Sequence, residues 1–194
     1  MIGLHDQPNN ATPLTADERD GLIPSHITLR GELNELEQQN IITASVWADL
    51  RRRNPVSELF ARRLHHRMFG MVWRWAGTYR TSNKNLGIDY TEIRTQLSQL
   101  LDDTHYWIEH HTCPPDELAV RFHHRLVSIH PFPNGNGRWS RLMADILVVW
   151  LGQPPFTWGG HSLIAQGESR RTYINALQTA DEHDIASLLA FSRS

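Results

Sequence analysis

The stretch His130-Pro131-Phe132-Pro133-Asn134-Gly135-Asn136-Gly137-Arg138-Trp139-Ser140-Arg141 decides how the rest of the chain is read. Before it, Leu118, Phe122, Leu126 and Ile129 recur at helical spacing behind Pro114-Pro115. After it, residues 142–151 are dense enough in apolar side chains to form a central buried helix. The stretch therefore turns a corner between two rigid elements. Its glycines open backbone conformations closed to other residues and let a ligand approach the amides closely. At the head of the second helix the first N–H groups have no internal partner, and the dipole favours negative charge. Such a corner is an anion cradle. Arg138 and Arg141, three apart, add fixed positive charge on neighbouring sides of the first turn. A nucleotide polyphosphate suits this chemistry, and His130, whose ordinary pKa is near neutral, suits a proton acceptor.

The rest of the chain is consistent with one mostly helical domain. Its 194 residues are 40% hydrophobic and 21% charged, which excludes a disordered tail or a fibrous repeat. A net charge of −2 and a pI of about 6.6 argue against tight nonspecific nucleic-acid binding through a basic surface. Eighteen of the 19 basic residues are arginines, and the one lysine is Lys84. No apolar run is long enough to span a bilayer, and the first residues read as no secretory signal. A single cysteine, Cys113, forms no internal disulfide and fits a reducing cytoplasm.

Residues 1–24 read as an irregular arm with one helical turn at 15–20. Leu29, Leu33 and Leu36 open a helix that Asn40 interrupts, with Thr43 capping a second piece. These residues, 1–54, are expected to precede the main domain over 55–194. Asn54-Pro55 signals the next helix, carrying Phe60, Leu64, Met68 and Trp75 and stopping at Gly77. Residues 81–90 are polar and glycine-containing, as in a turn or short hairpin. Helical periodicity resumes at Ile93, and two further helices centre on 173–180 and 185–191.

The signature resembles that of the Fic (Fido) family, His-Pro-Phe-x-Asp/Glu-Gly-Asn-Gly-Arg-x-x-Arg, at every position but the fifth. Trp75-Ala-Gly-Thr-Tyr-Arg80 and Arg171-Thr-Tyr-Ile-Asn-Ala-Leu177 are similar to further family segments, so the likeness runs over about 55–191. Residues 21–40 also resemble a bacterial subgroup called mobile mystery protein B. The resemblance implies an all-α fold with a small β-hairpin flap, and transfer of AMP from ATP to a Ser, Thr or Tyr hydroxyl of a protein target. It implies that His130 deprotonates the target. It gives the amides of residues 135–137 (Gly135, Asn136, Gly137) the α-phosphate, and Arg138 and Arg141 the outer phosphates. Asn134 is the departure: the family places a Mg²⁺-holding carboxylate there, and an amide oxygen is a neutral ligand. Three alternatives stay open: transfer of another phosphate-containing group, a nucleotide sensor without turnover, and a silent, toxin–antitoxin-like binding module.

The resemblance also places the flap at Ser82, Asn83, Lys84 and Asn85, where a target segment would add as a strand, although an ordinary surface loop has the same composition. Lys84 is expected to face solvent. Thr28-x-x-x-Glu32 fits an inhibitory helix whose glutamate would pair with Arg141, with Leu33 in place of the usual Gly/Asn; a solvated Glu32 is the plain alternative. Tyr173, Leu177 and Asp181 recur every four residues and could line an adenine pocket or a core stripe. The pairs His65-His66, His110-His111 and His123-His124 cannot chelate one ion, since adjacent helical residues diverge by about 100°. Most of the seven tryptophans fit core packing.

Overall fold

Eight helices carry the architecture in the computed structural model, which describes residues 13–49, 54–160 and 167–194. They are α1 (Ala16–Arg19), α2 (Arg30–Asp49), α3 (Glu58–Phe69), α4 (Ile93–Glu109), α5 (Pro115–Ile129), α6 (Asn136–Trp150), α7 (Glu168–Asp181) and α8 (Ala186–Ser192). Pro115 at the first position of α5 loses no hydrogen bond there, and Asp116 and Glu117 complement its positive end. α5 is central, packing on α4, α6 and α8, while α2 lies across α3 and α6. Phe122, Leu126 and Ile129 of α5 meet Trp139, Met143 and Leu147 of α6 in a core where each is fully buried. Burying one such side chain stabilises the fold by about 1.5–3 kcal/mol.

Three boundaries differ from the periodicity. α2 runs unbroken through Asn40, and Thr43 turns its hydroxyl back onto the Gln39 carbonyl (3.0 Å) instead of capping a new helix. The next helix is capped by Ser57, whose side chain accepts from the Phe60 N–H, and it ends at Phe69 rather than Gly77. It stops there because the following backbone is used otherwise. Ile23 N–H donates to the Val72 carbonyl and Arg74 N–H to the Gly21 carbonyl, around the antiparallel bridge Leu22–Trp73.

That bridge is the only β pairing among the described residues, so the expected β-hairpin flap is corrected to an irregular loop over 81–89. Side chains take the backbone groups a ladder would need. Arg80 donates to the Ser82 and Ile88 carbonyls, and Asn83 Oδ1 accepts from the Tyr90 N–H. Asn83 Nδ2 also donates to Asp89, closing the loop across its base. Among the described residues no helix is long and apolar enough to cross a membrane.

Candidate functional site

α5 ends on His130, whose backbone is left-handed (φ 52°, ψ 60°), and the chain reverses through Pro131, Phe132 and Pro133 into α6. Asn136 holds this corner shut. Its Oδ1 accepts from the Phe132 N–H (2.9 Å) and its Nδ2 donates to the Phe132 carbonyl (2.8 Å). Its side chain is thus committed to the loop, and only its N–H points along α6 for a ligand. Gly135 caps α6 at φ 79°, where a Cβ would lie 2.6 Å from the Phe69 ring. The first N–H to bond back within α6 is that of Trp139, onto Gly135 (2.9 Å). The N–H groups of Asn136, Gly137 and Arg138 therefore head the helix, as an anion site requires.

His65 of α3 supports the corner from beneath. Its Nδ1 accepts from the Gly77 N–H (2.9 Å), which leaves Nε2 to donate to the Asn134 carbonyl (3.0 Å). The ring is neutral, stacked 3.7 Å from Phe132, and burial holds its pKa down to about 3. Asn134 Oδ1 accepts from the Gly135 N–H (2.7 Å), so the residue expected at a metal faces its own loop.

His130 is 6% exposed. Burial first, then the Arg80 cation, lowers its pKa to about 4, with a smaller effect of Lys84 and an opposing hydrogen bond to the Val127 backbone. The ring is therefore neutral at pH 7 and able to accept a proton. His123, buried between Trp158 and Tyr173, is likewise lowered to about 3. These three rings make the fold acid-sensitive. Each has a native pKa below its unfolded value near 6.5, so its contribution is complete above that pH and is lost as pH falls towards 3–4. Asp145, raised to about 6 by burial, acts in the opposite sense over part of that window. The net loss from pH 8 to pH 5 is about 2–5 kcal/mol. Urea unfolding at the two pH values checks this; equal stabilities would contradict it.

The partners of the signature arginines were not those expected. The Glu32 carboxylate folds back onto the Thr28 and Leu29 N–H groups (3.2 and 3.3 Å), capping its own helix, and does not pair with Arg141. Glu37, 3% exposed, is the carboxylate that reaches the signature: it meets Arg138 Nη1 at 2.6 Å and accepts from Trp73 Nε1 at 2.7 Å. Arg30, two turns earlier on α2, shares the field of Glu37 and Arg138. The Arg141 guanidinium lies over the Tyr173 ring at 5.2 Å. Tyr173 is buried with its hydroxyl on His123 Nε2, Leu177 is half-buried, and Asp181 is exposed with its carboxylate hydrogen-bonded to His124 Nε2 (2.8 Å). Lys84 is not in solvent: its side chain is 3% exposed and pairs with Glu18 of the N-terminal arm at 2.5 Å. Ser82, Asn83 and Asn85 lie on the loop 81–89.

Glu37 was not singled out from sequence, His65 entered only as half of a pair unable to chelate, and Arg80 only as the end of the segment 75–80. Glu37 stands four residues after Leu33 on the apolar face of α2, where a carboxylate must find a partner.

Residues 55–148 match the Fic/DOC family. The chain is 33% identical over 132 residues to protein adenylyltransferase Fic of Aedes aegypti, covering 66% of this chain and 25% of that protein. The Culex quinquefasciatus protein of the same name is 40% identical over 77 residues, 40% of this chain and 14% of that one. The chain thus spans about a quarter or less of these relatives. Among solved structures, the N-terminal Fic domain of a Bartonella quintana cell filamentation protein has a TM-score of 0.70 at 16% identity, covering 91% of each chain. BepC of Bartonella tribocorum, solved with bound AMPPNP, has a TM-score of 0.64 at 19% identity over 92% of this chain and 97% of that one. The His130 corner, the cradle at the head of α6 and these likenesses agree: residues 55–148 are a Fic/DOC family domain.

Proposed function

We propose that this chain transfers AMP from ATP to a Ser, Thr or Tyr hydroxyl of a protein target. The observation that carries the reading is a neutral, nearly buried imidazole beside a helix head that presents three N–H groups and two arginines. The target hydroxyl gives its proton to His130, its oxygen attacks the α-phosphorus, and the bond to pyrophosphate breaks. The N–H groups of residues 136–138 stabilise charge building on the α-phosphate, and Arg138 and Arg141 hold the leaving pyrophosphate. The contact of Arg141 with Tyr173 brings α7 to a signature arginine and supports seating adenine along Tyr173, Leu177 and Asp181. The target lies along the loop 81–89, which packs on His130 through Gly87. A cytoplasmic setting suits the lone Cys113.

The residues present do not make a resident Mg²⁺ site. No cluster of three His, Cys, Asp or Glu occurs among the described residues, and the Asn134 amide oxygen already accepts an N–H. Mg²⁺ in this reading enters with ATP as part of the substrate. Asn134 also favours the second reading, a Fic fold kept for binding nucleotide or a partner protein, with a toxin–antitoxin-like role. Incubation with ATP labelled at the α- or the γ-phosphate separates these. AMP transfer leaves only the α-label on protein; a γ-label means phosphoryl transfer, and neither label with intact ATP binding means a binding module.

A further inference from the structure

Arg80 is 2% exposed, and its planar fork is used on backbone oxygens from two separate segments. Nε donates to the His130 carbonyl (2.7 Å) and Nη2 to that of Ile129 (3.4 Å), at the end of α5. Nη1 donates to the Ser82 carbonyl (3.0 Å) and Nη2 also to that of Ile88 (2.5 Å), at the two ends of the loop 81–89. The Arg80 N–H adds a bond to the Pro131 carbonyl (2.9 Å), so the carbonyls of both His130 and Pro131 are held. A left-handed backbone at a residue other than glycine costs about 1–2 kcal/mol and persists only where its surroundings enforce it. His130 is such a residue, and its carbonyl is the one Arg80 grips at closest range after Ile88. The loop itself reaches the base at Gly87. A Cβ there, at φ 98°, would lie 2.6 Å from His130 Cβ and 2.9 Å from Arg80 Nη2.

We propose that Arg80 is a positioning residue that fixes the left-handed turn at His130 and ties the loop 81–89 to it, so that one guanidinium sets both the aim of the base and the seat of the target. This rests on the AMP-transfer reading of the site. A lysine carries the charge but not the fork, and cannot span four carbonyls from two segments. The charged side chains facing His130 are Arg80 and Lys84, so charge and geometry can be separated by substitution.

The test compares Arg80→Lys, Arg80→Gln and Gly87→Ala, each in the Glu37→Gly chain. Four quantities are read: α-label transfer, ATP affinity, the His130 titration by NMR, and cleavage by a lysine-specific protease. Lys84, the only lysine, lies in the loop, so that protease reports loop opening. Arg80→Lys is expected to lower kcat about 100-fold, the scale of a misplaced catalytic group, with ATP affinity within about threefold. Cleavage at Lys84 should quicken about tenfold, while the His130 titration stays near that of the parent in Arg80→Lys and moves up in Arg80→Gln. A kcat for Arg80→Lys within about threefold of the parent, or a loss confined to ATP binding, would overturn the proposal. Should the Arg80 variants not fold, Gly87→Ala keeps the guanidinium but drives a methyl group against Arg80 Nη2 and His130 Cβ, and must show the same kcat loss; an unchanged kcat there overturns the proposal too. If the parent transfers nothing, AMP transfer fails as a reading, and the Lys84 cleavage and His130 titration decide the role of Arg80. Both unchanged in Arg80→Gln would reject it.

Discussion

Replacing Glu37 with glycine is expected to raise α-label transfer by about one to two orders of magnitude, largely through tighter ATP binding. The Glu37 carboxylate sits 2.6 Å from Arg138 Nη1 and is 3% exposed, so under the proposed AMP transfer it competes for the guanidinium with a phosphate oxygen of ATP. A short ion pair held in low dielectric is a strong competitor for a ligand of the same sign. Glu37→Gln separates charge from shape, because an amide keeps an oxygen for Trp73 Nε1 while releasing Arg138. It should give most of the same gain. Glu32→Gly should leave transfer unchanged and remove only a helix cap, a loss of about 1 kcal/mol in stability. Equal labelling by the parent and both Glu37 variants would mean that the ion pair restrains nothing.

The second large effect is at His130. His130→Ala, made in the Glu37→Gly chain, is expected to lower kcat by about 10²–10⁴-fold, the usual range for loss of a general base. ATP affinity should stay within about threefold, since the cradle is built from α6 and its arginines rather than from the imidazole. Labelling that survived at a tenth of the parent rate or more would put the proton acceptor elsewhere. The depressed pKa bears on the same variant. With His130 near 4 in the free chain, activity should persist to lower pH than an ordinary histidine would allow.

The parts of this molecule that could be read in the sequence are those set by local rules. The cradle at the head of α6 follows from two glycines between apolar helices, and Gly135 has the positive φ that such a corner demands. The start of α5 at Pro115 was equally legible. What escaped depends on contacts between distant residues. Asn40 looks like a break, but α2 continues because Leu33, Glu37, Ala44 and Ala48 all face the core. Trp75 looks helical by spacing, but its backbone neighbours pair with residues 21–23, more than 40 positions away. Glu32 fits a short motif better than Glu37 does. Only packing of α2 across α6 shows which carboxylate reaches an arginine, and that it is Arg138. The loop 81–89 has hairpin composition, and Arg80 takes the carbonyls that a ladder would pair.

A crystal structure of the Glu37→Gly chain with a non-hydrolysable ATP analogue tests the central claim most directly. The account predicts the α-phosphate against the N–H groups at the head of α6, the outer phosphates on Arg138 and Arg141, and the His130 ring facing the α-phosphorus. An analogue bound away from that helix head, or a His130 ring turned into the core with the phosphates in place, would contradict it.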